Sequence, residues 1–382
     1  MIVTVSILGL VLLLMIGESL IINNCVNSIA VKIHVNGTRG KSTITKYIFA
    51  GLKEDHLRVL GKVTGEIPTM LLPDGSQKAI KRRGSARVQE QFNILRKAKN
   101  EKIDALVLEC MSIDPILQKL ESFFFKPDIY IISNIRDDHR EKIGNSLDDQ
   151  IKSICDAIPA NSKIIAGESA YMDIIKGVAI VRNSQFIQAI DLSDEEKKKI
   201  PQSALEINVQ IALTACIESG IPRQIAFKGV LKQIGKTISP LYAITNGQQK
   251  RYFLNAFSVN DIPSFKDYLK LWTSELNITD KVSVVFNTRS DRPLRTGLFV
   301  EWIKFNHENI EAVILTGDHK MRANRLLSRS ETKFKIKNIP NRHPSSIKDL
   351  ILESTVNSSL IVGVGNIKGL GYQIINEFAE TS

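Results

Sequence analysis

Cysteine is scarce in this 382-residue sequence, and its four copies lie too far apart for the usual metal or disulfide frameworks. No two of them form a Cys-x-x-Cys pair, the spacing typical of structural zinc sites and redox motifs. A disulfide-stapled scaffold is excluded too, because such scaffolds are short and cysteine-rich. Internal repeats and low-complexity segments are also lacking. The pattern favours a globular protein with reduced thiols.

Length and composition allow two folded domains. Hydrophobic residues make up 43% and charged residues 24% of the chain, which is typical of globular proteins. Lys and Arg (51) exceed Asp and Glu (40), which gives a net charge of +11. Such a charge attracts nucleotides, anionic lipids, nucleic acids or acidic polymers. An excess of lysine also aids solubility, so charge alone does not select a partner.

The first 17 residues lack charge of either sign, and Glu18 is the first interruption of an apolar run that reaches Ile22. About 20 apolar residues span a bilayer. A signal peptide would start with positive charge, which residues 1–6 lack, and a buried core helix would keep a polar stripe. We therefore expect residues 1–24 to be a single-pass membrane anchor, followed by a short link over residues 23–30. The lysines and arginine that follow at Lys32, Arg39 and Lys41 place the rest of the chain in the cytoplasm.

Strand patterns alternate with helical patterns along the rest of the chain, which predicts an α/β fold with a mostly parallel sheet. The first half has expected strands at 30–35, 59–63, 105–109, 129–133 and 163–166, with helices at 41–54, 87–99, 147–157 and 203–219. After a connection at 233–240, strands are expected at 252–257, 282–287, 312–316 and 360–363, with helices from 262 and over 292–305. We expect a central domain at 25–238 and a smaller Rossmann-like α/β domain at 239–382.

The strongest motif is VNGTRGKST at residues 35–43, between a predicted strand and a predicted helix. Its glycines let successive backbone N–H groups and the helix N-terminus face a polyphosphate. Lys41 can then reach the β- and γ-phosphates, and the Ser42 hydroxyl can bind Mg²⁺. The strict Walker pattern fails, since Val35 replaces its first glycine, so the prediction rests on the strand–turn–helix context. The predicted nucleotide contacts in this P-loop are Asn36, Gly37, Thr38, Arg39, Gly40, Lys41, Ser42 and Thr43.

Two further predicted strands end in polar residues. One ends in Glu109, and the other is followed by Asn134, Asp138 and His139. Ligands bind at the carboxyl ends of strands in such sheets, and a buried carboxylate needs a cation or a donor, so Mg²⁺ suits Glu109. An Asp-His pair alone is more often surface than site. Three strand ends at one edge nevertheless predict a single ATP site.

Together these motifs resemble the Mur ligase superfamily, which includes the peptidoglycan amino-acid ligases and folylpolyglutamate synthase. The more detailed likeness is to the ATP-dependent ligase subunit of poly-γ-glutamate synthases (CapB/PgsB type), which also begin with a short hydrophobic segment. The residues that carry this resemblance are VNGTRGKST, Gly61-Lys62-x-Thr64-Gly65, Glu109-Cys110-Met111, Asn134-x-x-x-Asp138-His139, Asn260-Asp261, Asn287-x-Arg289-x-Asp291-Arg292 and Gly363-Val364-Gly365-Asn366-Ile367. They extend over nearly the whole chain.

The resemblance implies an ADP-forming ligase that polymerises glutamate through an acyl phosphate, with ATP and Mg²⁺ as cofactors. It implies metal ligands at Ser42, Thr64, Glu109 and His139, and nucleotide contacts at Asn134, Asp138 and Asn208. The implied catalytic residues are Lys41, His139, Asp261, Arg289, Asp291 and Arg292, the last four from the second domain. An ordinary strand-end ion cluster is the alternative for those four.

The implied partners are glutamate, the growing poly-γ-glutamate chain, the membrane and other membrane subunits of a synthase or export complex. Nucleic acid is not expected, and a homo-oligomer is left open. Another Mur-type ligase, or a membrane-tethered NTPase coupled to transport, remains an alternative. Lys142 and Lys152 are candidates for the carbamylated lysine of many superfamily members. The basic run 81–83 with Arg87 suits an acidic substrate or a solvated loop equally well.

Overall fold

The computed structural model divides the chain into two compact units, Met1–Thr237 and Ile238–Ser382. It describes residues 2–65, 68–82, 87–136, 143–144, 146–167, 170–201, 204–236, 241–246, 249–259, 261–329, 334–340 and 346–380. Each unit has a mostly parallel sheet with helices packed on it and hydrophobic clusters of its own. The predicted α/β class is therefore confirmed.

The first unit is built on a sheet whose central strands lie directly below the phosphate-loop motif. Its strands are β1 (Val31–Asn36), β2 (Val59–Val63), β3 (Thr69–Leu71), β4 (Gln77–Ala79), β5 (Ala105–Glu109), β6 (Ile129–Ile132), β7 (Lys163–Ala166) and β8 (Gln185–Gln188). Their order is β4-β3-β2-β5-β1-β6-β7-β8, and β3 is the one strand of the eight whose direction is opposite to that of the others. Strands β5, β1 and β6 are adjacent, so the polar residues after them share one edge.

Helices cover both faces of this sheet, because its central strands are apolar on both sides. The helices of the first unit are α1 (Ile2–Asn27), α2 (Lys41–Glu54), α3 (Gln89–Asn100), α4 (Pro115–Phe125), α5 (Leu147–Asp156), α6 (Met172–Val181), α7 (Asp194–Lys199), α8 (Glu206–Glu218) and α9 (Arg223–Gly235). Helices α2, α8 and α9 form one layer, with side chains such as Ile48, Leu213 and Val230 in a common core. Helices α3 and α4 pack on the other face, where Leu95 and Phe125 contact the sheet.

The second unit has a six-stranded sheet of the same kind. Its strands are β9 (Leu241–Asn246), β10 (Gln249–Asn255), β11 (Val282–Thr288), β12 (Ile310–Gly317), β13 (Lys335–Asn338) and β14 (Leu360–Gly365). Their order is β13-β12-β11-β14-β10-β9, with β9 antiparallel to β10 at one edge. The helices are α10 (Ile262–Glu275), α11 (Pro293–Phe305), α12 (Lys320–Ser328), α13 (Ile347–Ser354) and α14 (Leu370–Ala379).

Helix α1 is the one helix among the described residues that is long and apolar enough to cross a membrane. Nearly all of its side chains described before Ile22 are exposed. From there Ile22, Cys25 and Val26, at helical spacing, are buried in the cluster formed with α3 and α4. The link expected over residues 23–30 is therefore mostly wrong, because the helix continues to Asn27 and docks on the first unit.

One other boundary and five strands differ from the expectations. Helix α9 continues to Gly235, whereas a connection was expected from Gln233, because Ile234 is still buried in the α2 interface. Strands β3, β4, β8, β9 and β13 were not predicted. All five lie at or next to a sheet edge, and β4, β8 and β13 are largely exposed, so they lack the apolar runs of central strands.

Candidate active site

The phosphate-loop motif forms a tight turn between β1 and α2. Gly37 and Gly40 have φ values of 116° and 80°, a region in which side chains are strained. A Cβ at Gly37 would collide with the Ser133 hydroxyl, and one at Gly40 would lie 2.9 Å from Asn208 Oδ1. Both glycines are therefore required by close packing, and Asn208 of α8 lies directly beside the loop. The predicted contact of Asn208 with the nucleotide stays a prediction.

Asn134 holds this loop from the end of β6. Its Oδ1 accepts a hydrogen bond from the Arg39 amide at 2.9 Å, and its Nδ2 donates to the Arg39 carbonyl at 3.2 Å. The Asn134 carbonyl also accepts from the Thr38 amide at 2.9 Å. Asn134, which was predicted to contact the nucleotide, therefore holds the backbone of the phosphate loop in this structure.

Asn36 supports the loop from below. Its Nδ2 donates to Gln118 Oε1 at 3.0 Å and to the Tyr130 hydroxyl at 2.7 Å, while its Oδ1 accepts from the Gly37 amide at 2.8 Å. The side chain is buried and fully engaged within the protein. Asn36 therefore positions the loop, and its predicted contact with the nucleotide stays a prediction.

Lys41 lies at the first position of α2 with its ammonium group folded back on the loop. Nζ donates to the Gly37 carbonyl at 2.6 Å and to the Thr38 carbonyl at 3.2 Å. Thr43, two residues further along α2, is half-buried. A lysine ammonium beside a glycine-rich loop at a helix N-terminus suits the binding of a polyphosphate.

Glu109, Ser42 and Thr64 meet at the ends of three different elements. Glu109 Oε2 accepts from the Ser42 hydroxyl at 2.8 Å and from the Thr64 amide at 2.6 Å. The Thr64 hydroxyl donates to the Cys110 carbonyl at 3.3 Å. Glu109 is only 3% exposed, and the described partners of its carboxylate are neutral donors. This buried negative charge and the adjacent hydroxyls form an oxygen-rich set that suits a hard divalent cation.

Several predicted site residues cannot be placed. Asp138, His139, Lys142 and Asn260 lie outside the described residues. Lys152, the other candidate for carbamylation, is exposed on α5.

The site residues expected from the second unit cluster at the carboxyl edge of its sheet. Asp261 caps α10, accepting from the Ser264 amide at 2.8 Å. Arg289 pairs with Asp291 at 2.6 Å in the loop after β11, and Arg292 is the N-cap of α11. Their predicted catalytic roles stay predictions.

A buried polar network beneath the site was not predicted. Glu121 of α4 accepts from the Met111 amide at 3.1 Å and from Gln91 Nε2 at 3.2 Å, and it lies 3.7 Å from His34 Nε2. Burial alone would raise the pKa of Glu121, yet the nearby His34 ring and hydrogen bonds from Ser112 and the Met111 amide together hold it below its ordinary value. The network therefore fixes the segment that follows Glu109.

The same network contains a fully buried lysine. Lys62 Nζ donates to Gln91 Oε1 at 3.2 Å and lies 3.2 Å from the Glu90 carboxylate, which also binds Arg82 through two bonds. Burial lowers the pKa of Lys62 against the attraction of Glu90. Arg82, expected either to bind an acidic substrate or to be solvated, is thus paired internally.

Ligand atoms of His34, Cys110 and Glu121 lie within 4.8 Å of one another. Burial raises the pKa of the Cys110 thiol well above its ordinary value, which disfavours the thiolate that a metal requires. Glu121 already accepts hydrogen bonds from Gln91, Ser112 and the Met111 amide. We therefore describe this cluster as a structural brace.

Comparison with known families agrees with this geometry. A model of the Mur ligase middle domain matches residues 35–217, and a model of the poly-gamma-glutamate synthase CapB C-terminal domain matches residues 241–381. The chain is 27% identical over 371 residues to PGA synthase CapB of Bacillus subtilis, covering 93% of this chain and 92% of that protein. It is 26% identical over 364 residues to capsule biosynthesis protein CapB of Bacillus anthracis, covering 93% of this chain and 77% of that protein.

Solved structures show the same fold. Escherichia coli FolC in complex with DHPP and ADP matches with a TM-score of 0.66 at 14% identity, covering 96% of this chain and 93% of that chain. A bifunctional folylpolyglutamate synthase/dihydrofolate synthase from Yersinia pestis, complexed with AMPPNP and Mn ion, matches with a TM-score of 0.65 at 15% identity, covering 94% and 92%. At these identities the likeness establishes the two-unit architecture and not the substrate.

Proposed function

We propose that this chain, which belongs to the CapB-type poly-γ-glutamate synthases of the Mur ligase superfamily, joins glutamate residues into poly-γ-glutamate with ATP as the energy source. The observation that carries the proposal is the convergence of Ser42, Thr64 and Glu109 beside a glycine-braced loop with Lys41. Phosphate-binding backbone and a buried carboxylate with hydroxyls are the two halves of a metal–nucleotide site.

The residues present fit a divalent cation. Glu109 is a buried carboxylate whose described partners are neutral donors, and a cation would offset the cost of burying its charge. We propose Mg²⁺, held by Glu109 and the Ser42 hydroxyl, with Thr64 and His139 completing the set that the family resemblance implies. Bound there, the ion supplies charge neutralisation to the phosphates.

The proposed reaction has two steps. The γ-carboxylate at the growing end attacks the γ-phosphate of ATP, which forms a P–O bond, breaks the bond to the β-phosphate oxygen and releases ADP. The amine of the next glutamate then attacks the acyl carbon, the C–N bond forms, phosphate leaves, and the amine proton passes to solvent or phosphate. Lys41 and the loop amides stabilise charge on the phosphates in the first step. The catalytic roles that the family resemblance implies for Asp261, Arg289, Asp291 and Arg292 of the second unit are part of this proposal.

We further propose that α1 anchors the protein in the cell membrane with both units in the cytoplasm. Lys32 and the basic residues that follow α1 favour this orientation. A polyanionic product made at the membrane can be handed directly to other membrane subunits of a synthase or export complex. The net charge of +11 suits such a product as well as anionic lipids.

The discriminating experiment uses the full chain reconstituted in lipid, with any membrane partners, ATP, Mg²⁺ and single amino acids. Glutamate-dependent release of ADP and phosphate, together with an amide-linked polymer, is expected. ATP hydrolysis that is independent of amino acid and yields no conjugate would instead favour the transport-coupled NTPase. Amide formation only with another acceptor would indicate a different Mur-type ligation.

Lys41→Ala is the matched negative variant. Loss of the ammonium that faces the loop carbonyls is expected to lower ATP turnover by at least about 10²-fold, as removal of a charge-stabilising group does in other sites. Lys46→Ala, on the half-buried side of the same helix, serves as the control. Turnover in Lys41→Ala equal to that of the control would overturn the phosphate-loop assignment.

A further inference from the structure

Helix α4 buries more polar than apolar side chains: three of its four buried residues are polar, and the fourth is Phe125. Gln118, Glu121 and Ser122 are buried against the sheet, whereas the outer side carries large apolar residues. Ile116 is 71% exposed and Phe123 is 66% exposed. A surface helix normally buries its apolar stripe and exposes its polar one.

The exposed apolar residues form one continuous row. Ile116, Leu120 and Phe123 have the i, i+4, i+7 spacing of a single helix face, and Leu117 and Phe124 adjoin it. We refer to these five residues as the α4 row. Single exposed apolar residues need no explanation, but a contiguous row marks an interaction surface.

The buried polar residues of α4 support the candidate active site. Gln118 receives the Asn36 amide below the phosphate loop, and Glu121 receives the Met111 amide beyond Glu109. These contacts explain why the polar residues point inward. They do not explain why the outer row is apolar and exposed.

The α4 row adjoins the helix proposed to enter the membrane. Lys126, directly after α4, donates to Asn23 of α1 at 2.9 Å. Phe124 packs edge-on against Phe92 of α3, with ring centroids 5.4 Å apart, and Arg96 of α3 lies 3.5 Å from Glu18. Asn23 is five residues past Glu18, about 7.5 Å along the helix, so the end of α4 lies close to the level where α1 leaves the domain.

We propose that the α4 row lies in the headgroup–acyl boundary of the same bilayer that α1 enters. The inference rests on the proposed anchoring of α1, because continuity with that helix identifies lipid as the occupant. The pattern is that of an interfacial helix, with an apolar row and basic residues at its border, here Lys119 and Lys126. The membrane would then contact the helix whose inner side braces the phosphate loop and the segment after Glu109.

The test places a tryptophan in the row of the full-length protein, reconstituted in vesicles whose lipids carry bromine at either shallow or deep acyl positions. The variants are Phe123→Trp in the row, Leu13→Trp in α1 and Val181→Trp, which is 83% exposed at the far end of α6. The native Trp272 and Trp302 are buried in the second unit and provide a constant background. Ligase activity of each variant confirms its fold.

Shallow bromine is expected to quench Phe123→Trp at least about twofold more than Val181→Trp, whereas deep bromine quenches mainly Leu13→Trp. Quenching of Leu13→Trp with none of Phe123→Trp overturns the docking of α4 and leaves the anchor standing. Absence of quenching at both positions overturns the anchor, and with it this inference. Blue-shifted emission of Phe123→Trp without quenching would show a protein occupant and would also overturn it.

Discussion

At the scale of single residues, the site depends on where the charge of Glu109 is held. A carboxylate that is nine-tenths or more buried requires either donors or a cation, and here two donors come from separate elements, Ser42 of α2 and Thr64 after β2. The hydroxyl and the carboxylate thus lie within one coordination sphere before any ion binds. Such preorganisation means that little reordering accompanies metal binding.

Glu109→Gln tests this arrangement with an isosteric loss of charge. We expect ATP turnover to fall by about 10²-fold, with a higher requirement for divalent cation, because the neutral amide is a poor ligand for a hard cation. Turnover is measured as ADP release over a series of Mg²⁺ concentrations. Glu206→Gln, exposed at the start of α8, is the control. An unchanged Mg²⁺ dependence in Glu109→Gln would contradict the metal assignment.

Asn134→Ala tests the brace of the phosphate loop. It removes two hydrogen bonds to the backbone of Arg39, each worth about 1 kcal/mol, so nucleotide affinity should fall by up to about thirtyfold. Calorimetric titration with a non-hydrolysable ATP analogue measures this loss. Asn93→Ala, on the exposed side of α3, should bind as the parent does. Equal affinities in the two variants would show that the loop holds its shape without Asn134.

Sequence alone could predict those site residues that are close together in the chain or that end a strand. The phosphate loop, Glu109 and Asn134 satisfy this condition, because parallel strands bring their carboxyl ends to one edge. Gln118 and Glu121 do not. Gln118 meets Asn36 across 82 residues of sequence, and it does so from a helix whose periodicity would assign it to solvent. No local pattern contains that contact.

At the scale of elements, strands with two buried faces were predictable and edge strands were not. Strands β2, β5 and β7 match the sequence expectations to the residue, since they are short apolar runs that are almost entirely buried. The packing between helices could not be predicted, because it depends on small residues that form no recognisable sequence pattern. Gly229 of α9 contacts the backbone of Ala50 and Gly51 in α2.

Gly229→Ala should destabilise the first unit. Alanine normally stabilises a helix interior by about 1 kcal/mol relative to glycine, but a Cβ here would overlap the Ala50 carbonyl oxygen, and overpacking costs about 1–3 kcal/mol. Gly177→Ala is the matched control, because its Cβ would enter open space within α6. We expect the urea midpoint to fall for Gly229→Ala and to rise slightly for Gly177→Ala. A rise in both would show that α9 shifts without cost.

At the scale of the whole molecule, the two units carry separate intrinsic probes. All four cysteines are buried in the first unit, and both tryptophans are buried in the second. Reaction of thiols with a disulfide reagent therefore reports unfolding of the first unit, while tryptophan emission reports on the second. Each unit has a core of its own, so the two signals need not coincide.

Acid stability of the first unit provides the last prediction. Burial raises the pKa of Glu121, but the nearby His34 ring and hydrogen bonds from Ser112 and the Met111 amide outweigh it and hold the folded pKa below the ordinary 4.5. At pH values between the folded and the unfolded pKa, Glu121 is protonated in the unfolded chain but charged in the folded protein. The stability that the Glu121 charge contributes above pH 4.5 is therefore lost as the pH falls through the folded pKa. The Glu121→Gln variant has no carboxylate at this position, so it has no such contribution to lose. Its free energy of unfolding should therefore decline less steeply with falling pH than that of the parent.

The measurement is the urea midpoint of thiol exposure in parent and Glu121→Gln from about pH 7 to about pH 3.5, with a reagent that reacts in acid. The two curves should converge as pH falls, because protonation removes from the parent the charge that the variant already lacks. Tryptophan emission is the internal control, since Glu121 lies in the first unit. Parallel thiol curves through this range would mean that the charge of Glu121 contributes no stability, and the buried network beneath the site would then act through packing alone.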